Sequence, residues 1–296
     1  MFAPLLARSL LAKISKMAQY SVSLIISFYN RLDYLKRILA ALERQTFKDF
    51  EVIIADDGST PDVVSQIKTI QAASGISIQH LWHEDIGFRK TMILNAAIVA
   101  SRSDYLIFID GDCIPHPSFI NEHFSNREPA VVLAGRRANI SPKLASLLSE
   151  ENIRRGIMEK GFDKKVLIDG IFGKSTHAIK GVYVRSKWLR KFLNRKITGV
   201  LGSNFSIHKA DMLAINGFDE RYKAPAVGED TDIEIRLRWN NVKVKMIKNM
   251  AVQYHFDHPK LKRSKVNEEI YQQVLREKRA FTPYGISQAS RGSGSL

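Results

Sequence analysis

Two carboxylates one residue apart, Asp110 and Asp112 in YLIFIDGDCIPHP (105–117), close an apolar run that reads as a buried strand. Neither downstream proline can donate a backbone hydrogen bond, so the chain turns there and both acids stand at a strand end. In an open α/β sheet that edge is where ligands bind. Three further groups could join them: Asp57 after the apolar run in IIADDGST (53–60), Glu229 and Asp230 in GEDTDIEIRLRW (228–239), and His255 and His258 in YHFDHP (254–259). Acids at strand ends suit a hard divalent cation together with phosphate oxygens and sugar hydroxyls, and a nearby imidazole favours Mn2+ over Mg2+. Each group also has an ordinary role: Asp57 and the Asp110-Gly111 pair as turn residues, Glu229 and Asp230 as acids at a helix start, His255 as a core histidine. Taken singly the ordinary role prevails; the four groups together, in this order, point to a site.

The elements that must position these residues follow from periodicity. SVSLIIS (21–27), EVIIAD (51–56), 77–82 and 105–109 read as strands, alternating with helices over 31–45, 62–73 and 88–100. Strands apolar on both faces and separated by helices predict a mostly parallel sheet covered by helices on both sides. GxGxxG is absent after the first strand and GxxxxGK[ST] is absent throughout, which excludes the dinucleotide and P-loop readings. Residues 136–199 read as a basic helical insertion within one domain. Beyond it come a strand and a short helix ended by Gly217 (199–220), the loop RYKAPAVG (221–228), a helix from Glu229 to Asn240, strand-like runs at 243–247 and 250–256, and a basic C-terminal helix over 262–280 before a disordered tail.

A chain of 296 residues with 45% hydrophobic and 25% charged residues can bury one large core or two modest ones. Its single cysteine, Cys113, rules out an intramolecular disulfide and suits a reducing compartment. No apolar run approaches the roughly 18–20 residues of a membrane span. The net charge of +15 is unevenly placed: residues 136–200 hold sixteen Lys/Arg against five Asp/Glu, and 260–279 hold seven against three. Such confinement marks a surface for an anionic partner, or a solvated face. VRSKWLRKFLNRK (184–196), as a helix, groups Trp188, Leu189, Phe192 and Leu193 between basic residues, the pattern of a helix lying on anionic lipid or packing on the core. Residues 1–19 carry Phe2, Leu6, Leu10 and Ile14 at helical spacing and read as an N-terminal extension or an interfacial helix.

SVSLIISFYNRLDYLKRILAALERQTFKDFEVIIADDGST resembles the opening of the inverting family 2 glycosyltransferases of GT-A fold. FIDGDCIPHP resembles their DxD motif, and LGSNFSIHKADMLAINGFDERY followed by GEDTDIEIRLRW resembles the second-half segment of chondroitin-polymerase-like and galactosyltransferase-like members. The resemblance spans about 20–260 and implies a GT-A domain there, with 20–135 as the nucleotide-binding half, 136–199 as the insertion, 200–260 as the acceptor and catalytic half, and 261–296 as basic helix and tail. It further implies that Ser27 and Asp57 contact the base of the donor, usually uracil, that Asp110 reaches the ribose, and that DIGFRK (85–90) contacts the donor with Arg89 toward phosphate, with Tyr29, Asn30, Asp85, Gly111 and Asn204 as further nucleotide-sugar-binding residues. By the same resemblance Asp112 and His255 ligate Mn2+ or Mg2+, with His258 the reserve ligand, and Asp230 is the catalytic base with Glu229 beside it toward the acceptor.

The function so implied is a metal-dependent inverting transfer of one sugar from a nucleotide-diphosphate donor, a UDP-hexose or UDP-N-acetylhexosamine. The acceptor is a saccharide or lipid-linked saccharide of cell-surface polysaccharide or lipopolysaccharide synthesis. The QxxRW signature of processive synthases is missing, since RLRW (236–239) lacks its glutamine, which favours single-sugar transfer. The protein is expected in the cytoplasm, or peripheral on the inner face of a membrane through an anionic surface. Two rivals are a sugar-nucleotide-binding scaffold without catalysis and a basic nucleic-acid-binding protein. Nucleic acid is not an expected partner, because the charge lies away from the α/β half. The oligomeric state is not set by any of these residues.

Overall fold

β-branched and apolar runs become strands, and the segments between them fold as helices that lay their apolar stripes on the sheet. The computed structural model describes residues 19–224, 228–258 and 264–287. In chain order come β1 (Val22–Phe28), α1 (Leu32–Glu43), β2 (Phe50–Asp56), α2 (Pro61–Ala73), β3 (Ile78–Trp82), α3 (Lys90–Ala100) and β4 (Tyr105–Asp110). Then follow β5 (Cys113–Pro115), α4 (Phe119–Ser125), β6 (Val131–Ala134), β7 (Arg136–Ile140), α5 (Pro142–Leu147), α6 (Glu150–Arg154), α7 (Phe162–Ile171) and α8 (Lys187–Leu193). The chain closes with β8 (Asn204–His208), α9 (Lys209–Ala214), α10 (Glu229–Trp239), β9 (Lys243–Met246), β10 (Val252–Phe256) and α11 (Lys265–Glu277).

A seven-stranded sheet runs β3-β2-β1-β4-β8-β6-β9, with β8 antiparallel to its neighbours and the other strands parallel. This is a mixed α/β architecture with the mostly parallel sheet that the sequence predicts. One apolar layer packs α1, through Leu35, Ile38 and Leu42, against Leu24, Ile26 and Ile54; the other packs Ile93 and Ile98 of α3 and Ile233 and Leu237 of α10 against Ile25, Ile53 and Phe108. Register sets Ser27 beside Ala55 on one side and Asp110 on the other, so the carboxyl ends of β1, β2 and β4 align at one edge.

A second sheet was not legible in the sequence. β5, β10 and β7 form it in that spatial order, with β10 in the centre. The runs at 243–247 and 250–256 look alike in sequence but part company: β9 edges the large sheet and β10 crosses to the small one. Between them Asn249 adopts a left-handed φ of 60°, and its amide donates to the carbonyls of Ile179 and Val182. Pro115 is tolerated because β5 lies at a sheet edge. Residues 136–199 open on β7 rather than on a helix, and α8 is shorter than the predicted 184–196, starting where the Ser186 hydroxyl accepts from the Leu189 N–H. Gly217, at φ 70°, ends the turn after α9 as expected. The N-terminal extension or interfacial helix, the middle of the RYKAPAVG loop, the start of the predicted C-terminal helix and the tail from 288 lie outside the described residues. No helix among the described residues is long and apolar enough to cross a membrane.

Beneath the large sheet, the α4 residue His123 is fully buried, with Nδ1 2.7 Å from Ser206 Oγ and Nε2 3.1 Å from Asn204 Oδ1. Burial pushes its imidazole down to about 3. The unfolded chain, with a histidine near its ordinary value of about 6.5, therefore takes up that proton first as pH falls. The stability tied to His123 is complete above about pH 6.5 and is lost steadily as pH drops toward 3. Urea unfolding should show roughly 2 kcal/mol less stability at pH 5 than at pH 7 from this residue, at about 1.4 kcal/mol per pH unit. His123→Gln should flatten that slope; a variant that keeps the wild-type slope would assign the acid sensitivity elsewhere.

Candidate functional site

At the aligned strand ends lies a cavity of about 520 Å³, walled by Ser27, Tyr29, Asp57, Asp85, Asp110, Gly111, Asp112 and His258, with Phe28, Tyr34, Phe88 and Lys90 among its other lining residues. The acids predicted from three separate segments thus face one space. Asp110 ends β4 and is met from three directions: the Ser27 hydroxyl donates to Oδ1 at 2.9 Å, the Lys90 ammonium lies 3.0 Å from Oδ1, and the Arg137 guanidinium lies 3.6 Å from Oδ2. Gly111 sits tightly against β1. Its N–H donates to the Ser27 carbonyl at 2.8 Å, and a Cβ there would lie 2.8 Å from that same oxygen. The neighbouring strand, rather than a ligand, is what excludes a side chain at this position.

Asp112 lies one step further along. Its Oδ2 is 3.2 Å from His258 Nε2 and 3.3 Å from His255 Nε2, and Oδ1 accepts from the Cys113 thiol. Burial alone would raise Asp112, yet the donors and cations that face it, the Arg137 guanidinium and the Cys113 thiol among them, hold its carboxyl well below the usual carboxylate range. Potential ligand atoms of Asp112, His255 and His258 all fall within 4.8 Å of one another. His255 is buried, and its Nε2 makes no hydrogen bond although the Asp112 carboxylate lies 3.3 Å away. A buried imidazole beside an ionised acid, with a second imidazole opposite, is a donor set that fits a divalent cation, Mn2+ better than Mg2+.

The remaining predicted residues divide. Asp57 accepts the Arg89 backbone N–H on both oxygens, at 3.1 and 3.0 Å, and lies 2.7 Å from His83 Nε2. Asp85 accepts from the Gly87 N–H and the Tyr29 hydroxyl, which lower its carboxyl and raise the Tyr29 phenol. Asn30, at a left-handed φ of 55°, ties loops together by accepting from the Thr60 N–H and donating its own N–H to Ser59 Oγ. Arg89 does not line the cavity; its guanidinium donates to the Glu84 carbonyl, and the next residue, Lys90, turns inward instead. Asn204 also departs from the expected placement. It is fully buried, donates to the carbonyls of Arg136 and Ala251, and accepts from His123, a strut behind the site rather than a wall of it.

Helix α10 starts after Gly228, at φ 125°, and places Glu229 and Asp230 in its first turn, where the positive end of the helix favours carboxylates. Glu229 lies 3.5 Å from Lys90, which therefore bridges the two halves of the chain. Although burial alone would lower it, the facing carboxylates of Asp110 and Glu229 push the Lys90 ammonium well above the usual lysine value. Asp230 makes no ion pair among the described residues and accepts from the backbone N–H groups of Gly202, at 3.2 Å, and Thr231, at 2.9 Å. Sequence reasoning missed Lys90, Arg137 and His83. Lys90 carried one signal: a cation at the very start of a helix opposes the helix dipole and needs an acidic partner elsewhere.

Residues 23–177 match the sequence model of Glycosyl transferase family 2. Among curated relatives, a validoxylamine A glucosyltransferase of Streptomyces hygroscopicus subsp. jinggangensis is 26% identical over 235 residues, covering 75% of this chain and 52% of that protein. A chondroitin synthase of Escherichia coli is 23% identical over 249 residues, covering 80% of this chain and 35% of its own length. The chain thus spans about half or less of these relatives. In fold it is similar to S. aureus TarS (TM-score 0.52, 15% identity, 81% of this chain and 37% of that one). It is also similar to GalNAc-T7 crystallised with UDP, GalNAc and Mn2+ (TM-score 0.59, 12% identity, 93% and 57%).

Lys90→Met would leave Asp110 and Glu229 facing one another across a mostly buried gap. Urea unfolding should show a loss of roughly 1–3 kcal/mol, the cost of stranding partly buried acceptors. An unchanged midpoint would mean that the ammonium does not offset these acids.

Proposed function

The chain belongs to glycosyl transferase family 2, and from that premise we propose that it is a metal-dependent inverting glycosyltransferase that moves one sugar from a nucleotide-diphosphate donor to a saccharide or lipid-linked acceptor. The observation that carries this reading is the convergence of Asp57, Asp85, Asp110 and Asp112 on one cavity, with Glu229 joined to the same cluster through Lys90. A UDP-hexose or UDP-N-acetylhexosamine is the proposed donor. Its base lies toward Tyr29 and Asp57, its ribose hydroxyls donate to Asp110, and its diphosphate lies toward Asp112. In this reading 20–135 is the nucleotide-binding half and 200–260 the acceptor and catalytic half.

Asp112, His255 and His258 would hold Mn2+ or Mg2+, and the buried Nε2 of His255, which makes no hydrogen bond, supports that assignment. When bound, such a cation supplies positive charge that offsets the charge developing on the departing diphosphate. Asp230 is the proposed base. Its carboxylate accepts from backbone N–H groups and makes no ion pair among the described residues, whereas Glu229 lies 3.5 Å from the Lys90 ammonium, and this favours Asp230 over its neighbour. The acceptor hydroxyl attacks the anomeric carbon from the face opposite the leaving group. Its oxygen forms the new bond, the carbon–phosphate oxygen bond breaks with its electron pair going to the nucleoside diphosphate, and the hydroxyl proton passes to Asp230. Alignment of donor and acceptor supplies much of the remaining acceleration.

The basic insertion at 136–199 is proposed to rest on an anionic membrane, which would bring a lipid-linked acceptor to the site and make the protein peripheral on the inner face of a membrane. Trp188 and Phe192 stack with centroids 6.1 Å apart and remain 76% and 53% exposed, amid Arg185, Lys187, Lys191, Arg195 and Lys196. Exposed aromatics among cations are suited to the lipid interface. Flotation with anionic liposomes at low salt should carry the protein upward, and Trp188→Ser with Phe192→Ser should abolish this; no flotation of wild type removes the membrane partner.

Asp230→Asn tests the mechanism. The amide keeps the shape at the helix start but cannot take the proton, so transfer should fall roughly 10²–10⁴-fold while donor affinity, read by calorimetry, stays near wild type. Wild-type transfer by the Asn variant would end the assignment.

A further inference from the structure

The unpartnered nitrogen of His255 raises a question about its other nitrogen. Register places His255 of β10 between Cys113 of β5 and Asn139 of β7. Its Nδ1 lies 3.1 Å from Asn139 Oδ1. The opposite side of that amide is engaged as well: Asn139 Nδ2 donates to Thr176 Oγ1 at 2.8 Å. Thr176 is itself fixed by a two-way backbone bridge to Asn139, with N–H to carbonyl distances of 3.0 Å in both directions.

These contacts have one consequence for the imidazole. An amide oxygen can only accept, so a hydrogen bond from Nδ1 to Oδ1 requires the ring proton on Nδ1. Nε2 then carries the lone pair, and it is this nitrogen that lies 3.3 Å from Asp112 Oδ2 without a hydrogen bond. With the amide reversed, Nδ2 would donate to Nδ1, the ring proton would move to Nε2, and the ring would offer Asp112 a donor instead of offering a cation a ligand.

We propose that Asn139, with its Nδ2 on the Thr176 hydroxyl and its Oδ1 on the imidazole, is a positioning residue that fixes His255 as the Nδ1–H tautomer and thereby presents Nε2 as a ligand. This rests on the metal reading above and deepens it. It also connects Thr176, within the basic stretch after β7, to the site through one side chain. A hydrogen bond to the non-ligating nitrogen sets which nitrogen binds, and losing such an outer partner costs about 10–100-fold in metal affinity.

The test pairs two measurements on wild type, Asn139→Leu, Asn139→Asp and Thr176→Val, each confirmed folded by circular dichroism. Long-range 1H–15N spectra of histidine-labelled, metal-free protein read the tautomer of His255, and calorimetry with Mn2+ alone reads affinity. Wild type should show Nδ1–H. Asn139→Leu should lose that preference and bind Mn2+ about 10–100-fold more weakly, whereas Asn139→Asp, whose carboxylate still accepts from Nδ1–H, should retain both. Thr176→Val should give a mixed tautomer and an intermediate affinity, and it serves where the leucine variant does not fold. An Nε2–H tautomer in wild type overturns the inference. Wild-type affinity in Asn139→Leu overturns it while leaving the metal reading standing; wild type that takes up no Mn2+ overturns the metal reading itself.

Discussion

Carboxylates repel, and this fold gathers several of them at one edge of a sheet. What permits it is the ammonium of Lys90, 3.0 Å from Asp110 and 3.5 Å from Glu229. Two acids brought together in a partly buried space without a cation would drive one of them to protonate. With Lys90 between them, the end of β4 and the start of α10 are drawn to one point, although Asp110 lies in the opening half of the chain and Glu229 in the closing half. Arg137 adds a second cation behind Asp110, delivered by β7 of the small sheet.

The geometry around this pair depends on backbones that approach closely. Gly111 gives up a side chain so that the chain leaving β4 can lie against Ser27 of β1. Two residues on, the chain enters β5 and joins the second sheet, and β10 then carries His255 to Cys113 and to Asn139 at once. The small sheet is therefore what turns a strand-end acid and a distant histidine into neighbours.

Behind the site, buried polar groups hold the supporting elements in place. Arg236, 1% exposed, pairs with Asp232 on the same helix and donates to the carbonyls of Ile215 and Gly217. This locks α10, and with it Glu229 and Asp230, to the turn after α9. Asn204, His123, Ser206 and Tyr105 form a second network across β4, β8 and α4. Burying polar atoms is tolerable where they find partners, and here most do, with Asp232 Oδ1 left without a hydrogen bond.

Much of this was legible in the sequence, and for a local reason. Apolar runs and helical stripes are encoded within a dozen residues, so β1 to β4, α1 to α3 and the acids at the strand ends could be read directly. Asp57, Asp110, Asp112, Glu229 and His255 stood out because their types and their positions at element ends carry chemistry in the sequence itself. Lys90, Arg137 and Asn139 did not, and Arg89 and Asn204 were placed where the structure does not put them. Which of two adjacent basic residues turns inward is a matter of helix phase against a particular sheet. Whether an asparagine is a wall or a strut depends on which strands flank it. Those choices follow from long-range register, β7 beside β10 and β4 beside β8, and no local pattern encodes a pairing across 116 residues such as Asn139 with His255.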